Sequence, residues 1–220
     1  MFKTLLQTTF LGLLFLTSFG QDEPVSKQKQ WTERAGILVA GTMSQLYHTQ
    51  DQMVRLPPKN PVWNWQAGLA IELFNSKRFA ARVDLLFANK GGKELFSGNG
   101  IDIQSEVNLS YGQLSLFPII VKPFGQKVLN PYVALGGYAA HLIKANYSLE
   151  STNLPRITDQ QAIQNTVKID YGPVGSFGID FKVGALEYRY EVGIPYILDQ
   201  KLTSSHIRNQ SQSIVLILFL

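Results

Sequence analysis

The residues of this chain that carry chemistry fall at every second position. Glu72, Arg82, Asp84, Asp170, Asp180, Glu187, Arg189 and Glu191 each stand in a stretch where apolar and polar side chains alternate. In an extended strand that spacing puts the charged residues on one face and the apolar ones on the other. Ionic groups so arranged suit either an ion path with a buried acid–base pair, or a set of charges that neutralise one another while filling an interior. The second is the expectation, because charges withdrawn from water need partners wherever they occur. Glu72 and Arg82 are expected to face each other across a short turn. A turn at 183–184 is expected to bring Asp180 near Glu187 with Arg189 one diagonal step away, giving that cation two acidic neighbours.

Other chemistry is thinly represented. Of the three histidines, His48 and His206 fall in long connections and His141 in a strand, and no pair has the close spacing of a metal motif. His48 with Asp51, or His206 with Ser204 and Ser205, could be drawn as a hydrolase or acyltransferase site, but loop histidines are more often simply solvated. Cysteine is absent, which removes disulfides, thiolate metal sites and cysteine nucleophiles. The sequence therefore predicts no catalytic residue, no metal ligand set, no cofactor and no enzyme. The net charge of +4 comes from scattered Lys and Arg without a basic run, which excludes nucleic acid as an expected partner.

The elements that must position the charged face are strands. Period-two patterning runs through 31–47, 63–73, 79–90, 106–122, 131–149, 167–183, 186–194 and 210–220. Pro118 interrupts the fourth, which is tolerable at a rim or a bulge. The connections alternate in length: long at 48–62, tight at 75–78, long at 91–105, short at 123–130, long at 146–166, tight at 183–184 and long at 195–209. In an up-and-down barrel, consecutive connections emerge at opposite ends, so all the long ones share one rim. That layout predicts an all-β, eight-stranded antiparallel transmembrane β-barrel with periplasmic turns and external loops. Its apolar face would point outward, its polar face would fill a narrow lumen, and Trp31, Trp63, Trp65, Tyr111, Tyr132, Tyr138, Tyr147, Tyr171, Tyr188 and Tyr190, largely at strand ends, would supply much of the interfacial girdle. A soluble lipocalin-like binder, with its apolar face inward, fits the sorted loops less well.

The ends of the chain complete the reading. Residues 1–20 combine Lys3, an apolar run and a small-residue site, as an export signal cleaved before Gln21 does. Residues 21–30 are expected to be a polar, flexible lead, and 31–220 a single barrel domain. Outer-membrane lipid, the barrel-assembly machinery and an envelope or extracellular ligand of the long loops are the expected partners.

Short pieces of the chain point the same way. They are 36–41 (GILVAG), 67–69 (AGL), 85–92 (LLFANKGG), 116–122 (LFPIIVK), 131–137 (PYVALGG), 170–172 (DYG) and 187–190 (EYRY) followed by Gly193. In this order the set resembles the PorT-like family of outer-membrane β-barrel domains. The resemblance implies the barrel fold and an outer-membrane location, and it implies no activity.

Overall fold

Alternation along the chain becomes alternation across a wall. The computed structural model describes residues 34–49, 60–76, 78–98, 101–124, 129–151, 154–159, 167–181, 183–195 and 206–220. Its strands are β1 (Arg34–Thr49), β2 (Val62–Asn75), β3 (Phe79–Gly98), β4 (Ile101–Val121), β5 (Leu129–Ser151), β6 (Leu154–Asp159), β7 (Ile169–Phe181), β8 (Gly184–Val192) and β9 (His206–Phe219). Neighbours in the chain pair antiparallel from β1 to β5, β5 then pairs with β7, and the order continues through β8 to β9. β9 returns to β1 in unbroken register from Gly36↔Phe219 to Thr49↔His206, which closes the sheet. The result is an eight-stranded antiparallel barrel, as expected, and no helix occurs among the described residues. β6 stands outside the ring and pairs, among the described residues, with β5. Residues 1–31, which carry the expected signal, the lead and Trp31, lie outside the described residues.

The faces are inverted relative to a water-soluble barrel. In β1, Leu38, Ala40, Thr42 and Ser44 are buried, while Ile37 and Val39 are 49% and 47% exposed. β7 alternates in the same way along most of its length. The outer wall is apolar on every side, as Leu69, Leu85, Leu114, Leu135, Phe177, Leu186 and Ile214 illustrate. Such a surface is stable only against an apolar solvent. The aromatic expectation needs correcting at three positions. Trp63, Trp65, Tyr171 and Tyr190 are exposed on the outer wall, but Tyr111, Tyr132 and Tyr138 point inward at 1%, 4% and 5% exposure. Strand parity puts them there, and acidic or amide side chains inside the barrel satisfy their hydroxyls.

Turns and bulges set the stagger. At the tight β2–β3 turn, the Phe79 amide donates to Ser76 Oγ at 3.0 Å and the Ser76 amide to the Phe79 carbonyl at 2.7 Å. This turn and a register shift between Glu72 and Phe74 bring Glu72 opposite Arg82. Pro118 sits where the β4–β5 register slips between Leu116 and Ile119, a bulge that spares its missing N–H. Three strands are longer than the sequence pattern suggests. β3 and β4 pair up to Gly98↔Ile101, so most of the expected 91–105 connection is a hairpin continuing past the barrel. The upper part of β5 and β6 likewise take up much of 146–166. Beyond the apolar belt both faces of a sheet meet water, so the period-two signal fades while backbone pairing goes on. The Lys93–Glu106 ion pair, on register partners 3.5 Å apart, belongs to this zone.

Candidate functional site in the barrel lumen

The lumen is lined by charged side chains, and they gather in three clusters from the short-turn end to the long-loop end. All eight of the charged residues picked out by alternation are buried, none more than 7% exposed. Their partners are set by the stagger of strands that are distant in sequence.

At the short-turn end, Arg34 of β1 spans two acids. Its Nε donates to Glu72 Oε2 at 2.8 Å and its Nη2 to Asp180 Oδ2 at 3.1 Å, while the guanidinium covers the Phe219 ring at 4.0 Å. Lys122 Nζ completes the group by donating to Asp180. The expected neighbourhood of Asp180 with Glu187 and Arg189 is not what forms. Asp180 is opposite Ala185, and its carboxylate pairs with Arg34 of β1 and with Lys122 just past β4 instead.

The middle cluster is the driest. Arg82 of β3 donates through Nη2 to Glu187 Oε2 at 2.9 Å, and its Nε lies 2.9 Å from Asp84 Oδ1. Arg189 of β8 bridges the same two acids, with Nη2 at 2.7 Å from Asp84 Oδ2 and also bonded to Glu187. Tyr132 Oη donates to Glu187 Oε2 at 2.6 Å, and Ser176 Oγ donates to the same oxygen at 3.3 Å. The Phe117 ring lies 4.8 Å from the Arg82 guanidinium carbon and 5.0 Å from that of Arg189, so one aromatic face serves two cations. Arg189 thus has two acidic neighbours, of which Asp84 is supplied by a strand on the far side of the ring.

The upper cluster is built around Lys90 of β3. Its ammonium is 3.1 Å from Glu191 Oε2, 3.6 Å from Asp170 Oδ2 and 4.1 Å from the centroid of Tyr138. Gln113 Nε2 and Ser211 Oγ donate to Glu191 at 2.9 and 3.2 Å. Tyr138 Oη and Asn209 Nδ2 donate to Asp170 Oδ2 at 3.2 and 3.0 Å, and Asn209 also donates to Tyr111 Oη at 3.2 Å.

Arg34, Lys90, Lys122 and the three inward tyrosines are what alternation alone missed. A signal for the cations existed: the eight selected residues set six acids against two arginines, so buried pairing required further cations on lumen-facing positions. Arg34 and Lys90 occupy such positions.

In chemical terms the arrangement fills the tube and cross-links its strands. Among the described residues there is no group of three or more His, Cys, Asp or Glu placed to hold a metal ion. His141 is exposed on the outer wall. The side chains of His48 and His206, together with Asp51, Ser204 and Ser205, lie outside the described residues.

Comparison with known proteins agrees with this geometry. No curated protein matches the chain. Several solved barrels are similar in outline at low identity. The attachment invasion locus protein Ail of Yersinia pestis, solved with the heparin analogue sucrose octasulfate, is 10% identical, with 86% of this chain and 99% of that one covered at a TM-score of 0.40. Neisserial surface protein A is 10% identical, with 84% and 96% covered at 0.37. OprG of Pseudomonas aeruginosa is 12% identical, with 85% and 91% covered at 0.37. The model of the outer membrane protein beta-barrel domain matches residues 19–199. With a closed antiparallel ring, an apolar outer wall and a family match over most of its length, the chain belongs to the outer membrane protein β-barrel domain family.

Proposed function

We propose that this protein is a small structural or surface-binding barrel of the bacterial outer membrane, closed to bulk solute by its own side chains, and not an enzyme. The carrying observation is the lumen. Arg82, Arg189, Asp84 and Glu187, each 1% exposed or less, occupy its middle and bond to one another across the ring. Eight strands leave an interior that side chains can fill, and here they do. The eight lumen charges first picked out by alternation are read as structural on this ground, because each has a partner within the wall.

The working surface is then the long-loop end, where β3, β4, β5 and β6 continue as a paired sheet past the barrel and offer an envelope or extracellular ligand a raised platform. Outer-membrane lipid surrounds the apolar wall, and the barrel-assembly machinery is the partner during biogenesis. Residues 1–20 are read as a cleaved export signal, and the ordered short motifs support a PorT-like assignment within the family.

Two measurements test this together. The native protein in outer-membrane extracts should migrate faster unheated than heated, and in planar bilayers it should give no stable conductance of porin size. A steady porin-like channel would overturn the closed-lumen reading. Loss of an envelope phenotype on deleting the tip of the β3–β4 hairpin would support the surface role, and intact behaviour after removal of every long connection would sink it.

A further inference from the structure

Charge is unevenly shared among the three lumen clusters. The lower one sets Arg34 and Lys122 against Glu72 and Asp180, and the middle one sets Arg82 and Arg189 against Asp84 and Glu187. Both balance. Among the described residues the upper one sets Lys90 against Asp170 and Glu191, all three 4% exposed or less, which leaves one negative charge over in that set. An unmatched charge is costly where water is excluded.

A second observation does not depend on counting charges. Asp170 Oδ1, Gln113 Oε1 and Asn209 Oδ1 are buried without a hydrogen-bond partner among the described residues. Turning the amides over cannot cure this. Gln113 Nε2 is committed to Glu191 at 2.9 Å and Ser115 Oγ at 3.0 Å, and Asn209 Nδ2 to Asp170 at 3.0 Å, so a flip would set carbonyl oxygen against carboxylate. Three acceptor oxygens therefore belong to the one cluster with fewer cations than carboxylates among the described residues, beside Lys90 Nζ, which makes ion pairs there but no hydrogen bond. Gly193 packs close against Asp170 Oδ1, since a Cβ added to it would lie only 2.7 Å from that oxygen.

What these oxygens lack is a small, hard, positive partner. Oxygen-only donors suit alkali or alkaline-earth ions and disfavour softer metals. A doubly charged ion would want more carboxylates, and it would be repelled by the Lys90 ammonium 3.6 Å from Asp170. We propose that the upper lumen cluster binds a sodium-sized monovalent cation, held by the Asp170 carboxylate with the side-chain oxygens of Gln113 and Asn209, and approached from the long-loop end. The ion is resident rather than in transit. Bilayer conductance therefore tests the closed lumen, and the experiment below tests the site.

The folded fraction is read from unheated gel migration, and the thermal midpoint is compared in sodium chloride and choline chloride at equal ionic strength. Choline has the charge of sodium and is too large for the site. The wild-type midpoint should be higher in sodium by roughly 2–4 °C, the scale of about 1 kcal/mol for a chain of this size, and should climb with sodium concentration. Asp170→Asn and Gln113→Leu should each abolish the difference, and Gly193→Ala should do so by pushing the Asp170 carboxylate aside. Asp84→Asn, in the middle cluster, should lower the midpoint in both salts and keep the difference. Equal wild-type midpoints in the two salts overturn the proposal. So does a midpoint that ignores sodium and rises on acidification in choline, because the extra positive charge is then a proton on Asp170 or Glu191.

Discussion

At the scale of single residues, the protein depends on charges that have nowhere else to go. Arg82 and Glu187 are each 1% exposed, and the carboxylate also holds Arg189 and the Tyr132 hydroxyl. Removing one side of such a pair leaves its partner charged and dry. Arg82→Met should cost about 3–5 kcal/mol, measured by urea unfolding of the folded barrel in detergent, whereas Arg82→Met combined with Glu187→Met should recover part of that loss. Losses in Arg82→Met and Glu187→Met that simply add in the double variant would mean that the pair contributes little as a pair. Much of this site was legible in the sequence, since strand parity alone picked out the eight inward charges. Who meets whom was not. Arg82 and Glu187 are 105 positions apart and Arg34 and Asp180 are 146 apart, and those meetings depend on the stagger of the closed ring rather than on any local spacing.

At the scale of the strand, each element serves two solvents, one per face. β5 shows the division well: Val133 and Leu135 are 54% and 60% exposed outward, while Tyr132 and Ala134 between them are buried. A charge on the outward side has no lumen partner and must face lipid. Leu135→Arg should therefore cost about 2–4 kcal/mol if the position lies at the bilayer midplane, read as a lower midpoint in refolding from urea into vesicles. An unchanged midpoint would place Leu135 near an interface. The same two-solvent logic explains how far the strands could be read beforehand. Within the belt, parity was unmistakable, and Pro118 announced its bulge. Above it, β3 and β4 stay paired to Gly98 and Ile101, and nothing in the residue pattern of the sequence records that pairing. β6 is of the same kind, a short return strand whose only signature is its pairing with β5.

At the scale of the whole molecule, stability resides inside a tube that salt does not enter freely. Screening weakens charges in water, and it acts much less on pairs buried at the level of Arg189 with Asp84, both 0% exposed. Raising choline chloride from about 0.1 to 1 M, which shortens the Debye length to about 3 Å, should move the unfolding midpoint by little. A steep fall would mean that water and ions reach the ion pairs. The closing seam has a different kind of consequence. Among the described residues β9 is the last strand, and all of it, from His206 to Phe219, lies against β1, the first. Until it arrives, two strand edges with unpaired amides and carbonyls would face hydrocarbon, at several kcal/mol per group. Closure is therefore all or none: a ring without β9 is not a slightly weaker barrel but one that hydrocarbon cannot accept.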